Sequence, residues 1–375
     1  MAGVKRVRRG RVDAGSSDNE IAGTLSEIRK RFGDNTVTPG SSVVQPDRIS
    51  TGVFMLDFCL LGGIPMSRAS MIVGEKHAGK SLLACKIAAG AQERYPDQQV
   101  VYVDVEGTLD TVWAAKLGVD LDSLLVVQPE TGESAIDMTD ALIHTKEVSL
   151  VVIDSIAALA PMKEIEDSAE DAHVGLQARL VGGMIRKATS GMIAERKRSH
   201  DVALLFINQY RTKIGGYSPY GEAKSIPGGK ALEFSTSVQI VVKNKENSGK
   251  DDRGVDAVSE NEHTFQITKN KLNAGVRAGE FRVRRMPHAE YGLDEGAIDD
   301  ASTMLAFAKK FGVYTGGGSS WTLEFWDESR KFKGMNDAII SLYEDPDLRM
   351  ALRNYLIYEQ AKSLSMPDDF LERFL

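Results

Sequence analysis

The chain has 375 residues, of which 42% are hydrophobic and 26% are charged. This composition argues against wholesale disorder, a collagen-like chain or a coiled coil, and no apolar run approaches the ~20 residues that span a bilayer. Two cysteines, Cys59 and Cys85, exclude a disulfide framework and a cysteine-based zinc site, and they fit a reducing compartment. The net charge of −7 disfavours a protein that coats DNA everywhere with basic surface, but it allows a local basic groove.

The first residues are basic and then become helical in pattern. We expect residues 1–18 to form a basic flexible arm that could touch a phosphate backbone. Apolar side chains then recur at three- and four-residue spacing from Ile21 through Ile28 to Phe32, before Gly33, which predicts a helix with one apolar face. We expect residues 19–48 to form this helix and a linker. The apolar face would pack on the chain's own core or on a neighbouring subunit.

The body of the chain, residues 49–290, alternates short apolar runs with amphipathic stretches. This alternation predicts an α/β fold with a mostly parallel central sheet and helices on both faces. Strands buried on both faces are predicted at 71–73, 100–103, 124–127, 150–153 and 203–207. Helices are predicted at 81–94, 110–117, 135–145 and 174–196. Antiparallel strands follow at 238–242, 264–269 and 279–284, with the polar residues 244–263 expected as an exposed hairpin tip.

The tail, residues 291–375, is predicted to be a small α+β C-terminal domain. Helical patterns at 301–311, 336–343 and 346–363 flank a glycine run and a short apolar segment at 321–325. Nothing in the tail indicates a chemistry of its own.

One run carries a phosphate-binding signature. Gly74-Glu75-Lys76-His77-Ala78-Gly79-Lys80-Ser81 matches G-x-x-x-x-G-K-[ST], follows an apolar strand and opens an amphipathic helix. Such a loop turns its backbone N–H groups toward phosphate oxygens, and the helix N-terminus adds favourable partial charge. Lys80 would reach the β- and γ-phosphates, and the Ser81 hydroxyl would hold Mg²⁺. We therefore assign nucleotide binding to residues from Gly74 through Leu82.

Acidic residues end two neighbouring predicted strands. Asp154 follows 150–153 and is expected on the magnesium side, while Asp104 and Glu106 end the strand at 100–103. These acids would meet at the carboxyl edge of the sheet, where ligands bind in open α/β folds. Glu106 lies further along the chain and is the better candidate to act on the water that attacks the γ-phosphate.

A third strand ends in Asn208 and Gln209, whose amides could sense the γ-phosphate. The following residues, 210–230, are rich in Gly, Lys, Arg and Tyr. Mobile glycines, cations and aromatic rings are what a single-strand-binding loop requires. The alternative is an ordinary exposed loop, but its position directly after the candidate sensor favours function.

These motifs together resemble the RecA family of recombinases over most of the chain. The resemblance is carried by residues 25–33, 49–52, 63–66, 74–81, 115–120, 128–133, 154–159, 206–209 and 269–271. It is looser beyond about residue 290. The P-loop interior Glu75–Ala78 differs from the common bacterial Pro-Glu-Ser-Ser, and the divergent tail suggests a virus-encoded or otherwise atypical member.

The resemblance implies an ATP- and Mg²⁺-dependent ATPase that forms a helical filament on single-stranded DNA and exchanges strands with a homologous duplex, in DNA recombination and repair. It implies location in the cytoplasm of a bacterium or infected host, without membrane contact, and makes single-strand-binding and loader proteins candidate partners. By resemblance, Glu106 is the catalytic carboxylate, Gln209 the γ-phosphate sensor, and Asp110 and Trp113 contact the nucleotide.

Further residues are assigned by the same resemblance. Lys269 and Lys271 would reach ATP from the adjacent subunit, and Ile28, Phe32 and Phe234 would contact that subunit. Two DNA loops are implied, at about 164–173 and 210–228. The implied DNA-binding residues are His173, Arg179, Arg186, Arg211, Lys213, Tyr217, Tyr220, Lys224, Gly228, Gly229 and Lys230.

Two other functions share the same core. A hexameric helicase or RadA-like motor would typically append a zinc-binding or protease-like module, for which the chain lacks the cysteines and the length. A nucleotide-binding repair mediator without strand exchange would not need the catalytic set of Lys80, Glu106 and Asp154.

Overall fold

The computed structural model describes residues 14–167, 175–212, 224–250 and 256–375. The helices are α1 (Ala14–Phe32), α2 (Phe54–Leu60), α3 (Lys80–Arg94), α4 (Thr111–Lys116), α5 (Gly132–Ile143), α6 (Met162–Glu166), α7 (Leu176–Lys197), α8 (Gly229–Ser235), α9 (Ala301–Lys310), α10 (Met335–Glu344), α11 (Pro346–Ser363) and α12 (Asp368–Leu371). The strands are β1 (Arg48–Ile49), β2 (Ile64–Pro65), β3 (Ala69–Gly74), β4 (Gln99–Asp104), β5 (Leu124–Val127), β6 (Val148–Asp154), β7 (Ala203–Gln209), β8 (Arg211–Thr212), β9 (Lys224–Ser225), β10 (Val238–Lys250), β11 (Asp256–Asn270), β12 (Ala278–Arg284), β13 (Tyr314–Gly317), β14 (Ser320–Phe325) and β15 (Glu328–Phe332).

The chain divides into two compact units, Met1–Gln45 and Pro46–Leu375. Within the described part of the first unit, α1 begins at Ala14, earlier than the apolar spacing predicts. Phe32, at its end, is 61% exposed. No helix among the described residues is both long and apolar enough for a membrane span.

The second unit is built on a sheet whose strand order is β12-β11-β10-β3-β7-β6-β4-β5. Neighbours from β10 through β5 pair in parallel, while β10, β11 and β12 pair antiparallel. The predicted α/β class with a mostly parallel sheet is therefore confirmed. Because β3, β7, β6 and β4 are parallel, their carboxyl ends meet at one edge, and this places the predicted site residues together.

The central strands are buried on both faces, as predicted, but the edge strand is not. The residues of β3 and β6 are all buried, since apolar clusters cover each side of the sheet. In β5 the prediction is wrong, because Leu125 and Val126 are 48% and 44% exposed. Among the described strands, β5 pairs only with β4, at the end of the sheet.

The polar residues 244–263 lengthen the two strands of the predicted hairpin and do not form its tip alone. They pair along most of their length as β10 and β11, with Asn244 opposite His263 and Lys250 opposite Asp256. Residues 251–255 lie outside the described chain. The prediction of a hairpin is confirmed, but its strands are longer than predicted because backbone pairing does not depend on side-chain polarity. The predicted exposure is wrong at His263, which is only 1% exposed.

The C-terminal helices α9, α10 and α11 form close to their predicted bounds, and a three-stranded antiparallel sheet, β13-β14-β15, lies between the first two. Phe307 of α9 lies 4.6 Å from Phe58 of α2, ring centre to ring centre. Apolar side chains of the tail therefore join the same cluster as the central sheet. The domain boundary near residue 290 stays a prediction.

A buried ion pair joins α2 to α11. Asp57 is fully buried; it accepts hydrogen bonds from the hydroxyls of Ser50 and Thr51 and from the Thr51 backbone, and Arg353 lies 2.6 Å away. Removing one partner of a buried pair leaves an uncompensated charge, which is strongly destabilising.

Arg353→Met should therefore lower the free energy of unfolding by roughly 3 kcal/mol, measured by denaturant titration. The matched control is Arg330→Met, whose carboxylate partners lie at 3.7 and 3.8 Å on the surface; it should cost less than about 1 kcal/mol. Equal losses in both variants would contradict a special role for the buried pair.

Candidate nucleotide-binding site

The loop between β3 and α3 has the backbone of a phosphate cradle. His77 and Gly79 have φ angles of 62° and 90°, and the helix begins directly at Lys80. A Cβ atom on Gly74 would lie 2.7 Å from the Val242 carbonyl oxygen, so only glycine fits beside β10. The positive φ at Gly79 turns the chain so that the first N–H groups of α3 face the loop opening.

Lys80 places a cation at this opening. Its Nζ donates to the Glu75 carbonyl oxygen at 2.7 Å, and the residue is 7% exposed. Burial lowers the pKa of Lys80, and the carboxylates of Asp154 and Glu106 oppose that shift. Within the described part of the chain, the ammonium thus has acidic neighbours but only a neutral oxygen within hydrogen-bonding distance, an arrangement that an incoming phosphate would improve.

Ser81 and Asp154 meet at the end of β6. Ser81 Oγ donates to Asp154 Oδ2 at 2.8 Å, and Tyr102 OH donates to the same oxygen at 2.6 Å. Burial raises the pKa of Asp154, and these two hydrogen bonds oppose the shift. A nearby cation would relieve the desolvation of this carboxylate.

The donor set fits Mg²⁺. One hydroxyl and one carboxylate are what Mg²⁺ commonly takes from a protein when phosphate and water supply its other ligands. Within the described residues, no group of three or more His, Cys, Asp or Glu side chains forms an all-protein metal site.

Glu106 and Gln209 come together although 103 positions separate them. Gln209 Nε2 donates to Glu106 Oε1 at 3.2 Å, and the Ser155 hydroxyl donates to the same oxygen. Both Glu106 and Gln209 line one cleft with the phosphate loop. Asp104 has a different place, because its carboxylate accepts the backbone N–H groups of Thr108 and Leu109.

Asn208 links the strand end to the predicted second DNA loop. Its Nδ2 donates to the Pro227 carbonyl at 2.9 Å, and its Oδ1 accepts from the Gln209 backbone. The short strands β8 and β9 pair at the base of this loop. Adjacent side chains on β7 therefore contact the candidate catalytic acid on one side and the loop's far end on the other.

The cleft has a volume of about 780 Å³, and the predicted aromatic residue Trp113 lines it. Asp110 caps α4 by accepting from the Trp113 backbone N–H at 2.9 Å. The guanidinium of Arg285 lies 4.4 Å from the centre of the Trp113 ring, a cation–π distance. Asp110 therefore acts here through helix capping, and Trp113 lines the cleft with Arg285.

Sequence reasoning missed Ser155, Tyr102, Arg285 and His263. The first two adjoin predicted residues in the strands, so their proximity could have been anticipated from parallel pairing. Arg285 and His263 lie on the antiparallel side of the sheet, far along the chain, and no local pattern marks them.

His263 supports the phosphate loop from β11. Its Nδ1 donates to the Ala78 carbonyl at 3.2 Å, its ring stacks on Phe281 at 4.8 Å, and its Nε2 is buried without a partner. Burial lowers the pKa of His263, so the neutral ring is favoured. A Cβ atom on Gly79 would lie 2.4 Å from His263 Cε1, so the imidazole closes directly under the loop.

The predicted DNA-binding and subunit residues fall at several places. Arg179 and Arg186 are exposed on α7, and Gly228, Gly229 and Lys230 lie at the start of α8. Phe234 is 67% exposed. His173, Lys213, Tyr217 and Tyr220 lie outside the described residues, and of Arg211 and Lys224 only the strand positions are described.

The predicted trans-acting lysines do not point into their own cleft. Lys269 Nζ donates to the carbonyls of Glu233 and Phe234 at 2.5 and 2.8 Å, and Lys271 Nζ donates to that of Phe234 at 3.0 Å. Two ammonium groups thus gather beside the exposed ring at the end of α8. They lie apart from the residues that line the phosphate-loop cleft of the same chain.

Comparison with known proteins identifies the family of this arrangement. The model of the RecA N-terminal domain matches residues 19–286. Proteins named Protein RecA are similar over most of their length: one from Mannheimia haemolytica is 34% identical, covering 92% of this chain and 89% of its own. That from Allochromatium vinosum is 36% identical, covering 88% and 90%, and that from Mycobacteroides abscessus is 39% identical, covering 77% and 80%.

The close fit of His263 under Gly79 can be tested by substitution. Gly79→Ala should destabilise the fold by more than the approximately 1 kcal/mol expected from the positive φ alone, because the new methyl displaces the imidazole. Gly118→Ala is the control, since its φ is 95° and its nearest neighbour would be 3.7 Å away.

A double-mutant cycle isolates the contact. Gly79→Ala with His263→Ala should recover at least about 1 kcal/mol relative to the sum of the single losses, measured as free energy of unfolding without nucleotide. If the two single losses in free energy of unfolding simply add in the double variant, the imidazole is not what excludes a side chain at Gly79.

Proposed function

Because the chain belongs to the RecA family, we propose that it is an ATP-dependent recombinase that forms a filament on single-stranded DNA and exchanges strands with a homologous duplex. One observation carries this proposal. Glu106, which lines the phosphate-loop cleft, accepts a hydrogen bond from Gln209, and the adjacent Asn208 donates one to the Pro227 carbonyl at the end of the predicted DNA loop. Neighbouring residues of β7 would thus serve the nucleotide and the DNA loop.

The cleft supports ATP hydrolysis by its own groups. Lys80 would leave the Glu75 carbonyl to pair with phosphate oxygens, and Ser81 and Asp154 would hold Mg²⁺, which neutralises charge on the phosphates. Glu106 would accept the proton of the water that attacks the γ-phosphorus, while the bond to the β-phosphate oxygen breaks and ADP and phosphate leave. Ser155 and Gln209 orient this carboxylate through hydrogen bonds to Oε1.

The same contacts couple hydrolysis to DNA. With ATP bound, the Gln209 amide would turn from Glu106 to the γ-phosphate, and hydrolysis would remove that partner. Because Asn208 bonds both the Gln209 backbone and the Pro227 carbonyl, movement at the sensor reaches the loop base directly. A change in loop position would then loosen the DNA.

The DNA surface would include α7. Arg179 and Arg186 are seven positions apart, which places them on one face of the helix. The N-terminus of α8 packs beside this helix, since a Cβ on Gly229 would lie 3.4 Å from that of Ala178, and Lys230 is the next residue. Exposed cations on both helices thus border the predicted second DNA loop and could track a phosphate backbone.

Self-association is supported by what the surface leaves exposed. Phe234, Leu125 and Val126 are exposed, and β5 is an edge strand of the sheet within the described part of the chain; edge strands offer backbone groups for pairing with another chain. Lys269 and Lys271 gather beside Phe234, away from their own phosphate loop, so we propose that they complete the ATP site of a neighbouring protomer. In that position they would neutralise phosphate charge as an arginine finger does.

Electron microscopy with single-stranded DNA and a non-hydrolysable ATP analogue tests the assembly, and a strand-exchange assay tests the activity. Helical filaments and joint-molecule products support the proposal. Rings would favour a hexameric motor, and nucleotide binding without filaments or exchange would favour a repair mediator.

Glu106→Gln should bind ATP within a few-fold of the unchanged protein but lose turnover by about 10²–10⁴-fold, because the water loses its proton acceptor. Glu147→Gln makes the same charge change before β6, at the opposite edge of the sheet, and should leave turnover unchanged. Normal DNA-stimulated hydrolysis in Glu106→Gln would show that another group acts as the base.

Arg179→Gln with Arg186→Gln should weaken binding to single-stranded DNA and reduce the slope of log affinity against log salt by about 1–1.5, since each phosphate contact contributes about 0.7. The control is Lys187→Gln on the same helix, whose ammonium is already paired with Asp137 and Asp140. A slope equal to that of the control would contradict the assignment of α7 to the DNA surface.

A further inference from the structure

The turn that follows β6 lies between the proposed catalytic carboxylate and the proposed DNA surface. It runs from Ser155 to Leu159 and contains one turn of 3₁₀ helix, Ile156–Ala158. Ser155 is fully buried, and its hydroxyl donates to Glu106 Oε1. This β6 turn, residues 155–159, therefore carries one of the groups that orient Glu106.

One side chain of α7 holds the β6 turn by its backbone. The Nε2 atom of Gln177 donates to three carbonyl oxygens of the turn, at 3.3, 3.1 and 3.0 Å, and these belong to Ile156, Ala157 and Leu159. A carboxamide has two N–H donors on its nitrogen, so both are engaged by the same stretch of backbone. The position of this amide therefore fixes the path of the chain directly after Ser155.

The first turn of α7 also faces the proposed DNA surface. Gln177 is the second residue of the helix, and Arg179 follows it by two positions, which is about 200° around an α-helix. Gln177 is half-buried against the β6 turn, whereas Arg179 is exposed. A movement of the helix start when DNA binds would therefore reach the β6 turn through the Gln177 amide.

The end of the predicted second DNA loop packs against the same turn. Gly228 has a φ angle of 92°, and a Cβ atom there would lie 3.0 Å from Val181 Cγ1 of α7 and 3.3 Å from Ile156 Cγ2 of the β6 turn. The loop end, α7 and the β6 turn are thus packed without room for one further methyl group. Both elements that are proposed to bind DNA meet at the residues after Ser155.

Glu106 would depend on the β6 turn most when ATP is bound. In this structure its Oε1 accepts hydrogen bonds from Gln209 and from Ser155. Under the proposed function, Gln209 turns to the γ-phosphate, which leaves Ser155 as the donor to that oxygen among the described residues. A general base must be held within reach of the proton that it accepts, so the placement of Ser155 would then set the activity of Glu106.

We propose that Gln177 is a positioning residue that conveys DNA binding on α7 to Glu106, by holding the β6 turn and with it the Ser155 hydroxyl. The inference rests on the proposed function, in which DNA stimulates ATP hydrolysis at Glu106. DNA bound to α7 would fix the start of the helix, and the Gln177 amide would then hold Ser155 where it orients the carboxylate.

Gln177→Met tests the proposal, because it keeps the length of the side chain and removes both N–H donors. At saturating single-stranded DNA it should lower kcat for ATP hydrolysis about tenfold. KM for ATP, the half-saturating DNA concentration and hydrolysis without DNA should change much less. Gln92→Met is the matched control on α3, where the amide bonds the Asp120 backbone, and it should keep full stimulation.

Two results of this comparison would overturn the proposal. One is equal stimulation by DNA in Gln177→Met and Gln92→Met. The other is a loss in Gln177→Met that appears equally in KM, in DNA affinity and in the thermal midpoint, because that pattern indicates general packing.

Two further variants test the route. Gln177→Lys keeps donors at this position, since an ammonium carries three N–H groups, and it should retain most of the stimulation at saturating DNA. Ser155→Ala removes the hydroxyl, and adding Gln177→Met to it should lower kcat little further, because Gln177 acts through Ser155. Loss of stimulation in Gln177→Lys, or losses of the two single variants that multiply in the double variant, would contradict this route.

The unchanged protein separates this inference from the proposed function. If it hydrolyses ATP no faster with single-stranded DNA than without, the proposed function fails and the role of Gln177 fails with it. If DNA stimulates the unchanged protein and Gln177→Met to the same degree, the proposed function stands and Gln177 is not a positioning residue.

Discussion

The buried ammonium of Lys80 is the charge around which the nucleotide site is arranged. It lies between a neutral carbonyl and two carboxylates that approach from other strands. Burial disfavours an unpaired cation, so the ammonium is stabilised by carboxylates on the surrounding strands or by a bound phosphate. This requirement explains why the ends of β3, β6 and β4 carry the site: each brings one element of charge to the same edge of the sheet.

The parallel register then connects chemistry to movement. Gly74 of β3 lies opposite Gln209 of β7, so the phosphate loop and the sensor begin at the same level. The next residue toward the sheet, Asn208, is fully buried and reaches across to Pro227. If Gln209 senses the γ-phosphate as proposed, a rigid strand with the sensor on one residue and a loop anchor on the next is well suited to transmit a small change at a phosphate to the proposed DNA-binding segment.

The antiparallel side of the sheet contributes support that is easily overlooked. His263 of β11 lies under Gly79, and Arg285, directly after β12, lies over the Trp113 ring. These contacts connect the phosphate loop and the Trp113 wall of the cleft to the antiparallel strands. The tail packs on the same apolar cluster, and its residues Arg353 and Arg373 bond to Asp57 and to the Pro46 carbonyl near the start of the second unit.

The amino-acid sequence alone determined the α/β class, the order of the central strands and helices, the phosphate loop and the acids and amides at the strand ends. It could do so because periodic apolar patterns and short glycine-rich loops are local properties, and parallel strands bring their ends to one edge. The tertiary structure alone decided that Glu106 meets Gln209 and Ser155, that β5 is an exposed edge of the described sheet, and that residues 244–250 and 256–263 form paired strands with His263 buried. It also placed Arg48 and Arg373, which lie near the two ends of the second unit's sequence, at the same Pro46 carbonyl oxygen. Such contacts join residues far apart in the chain, and no local pattern encodes which distant side chains will share a buried space.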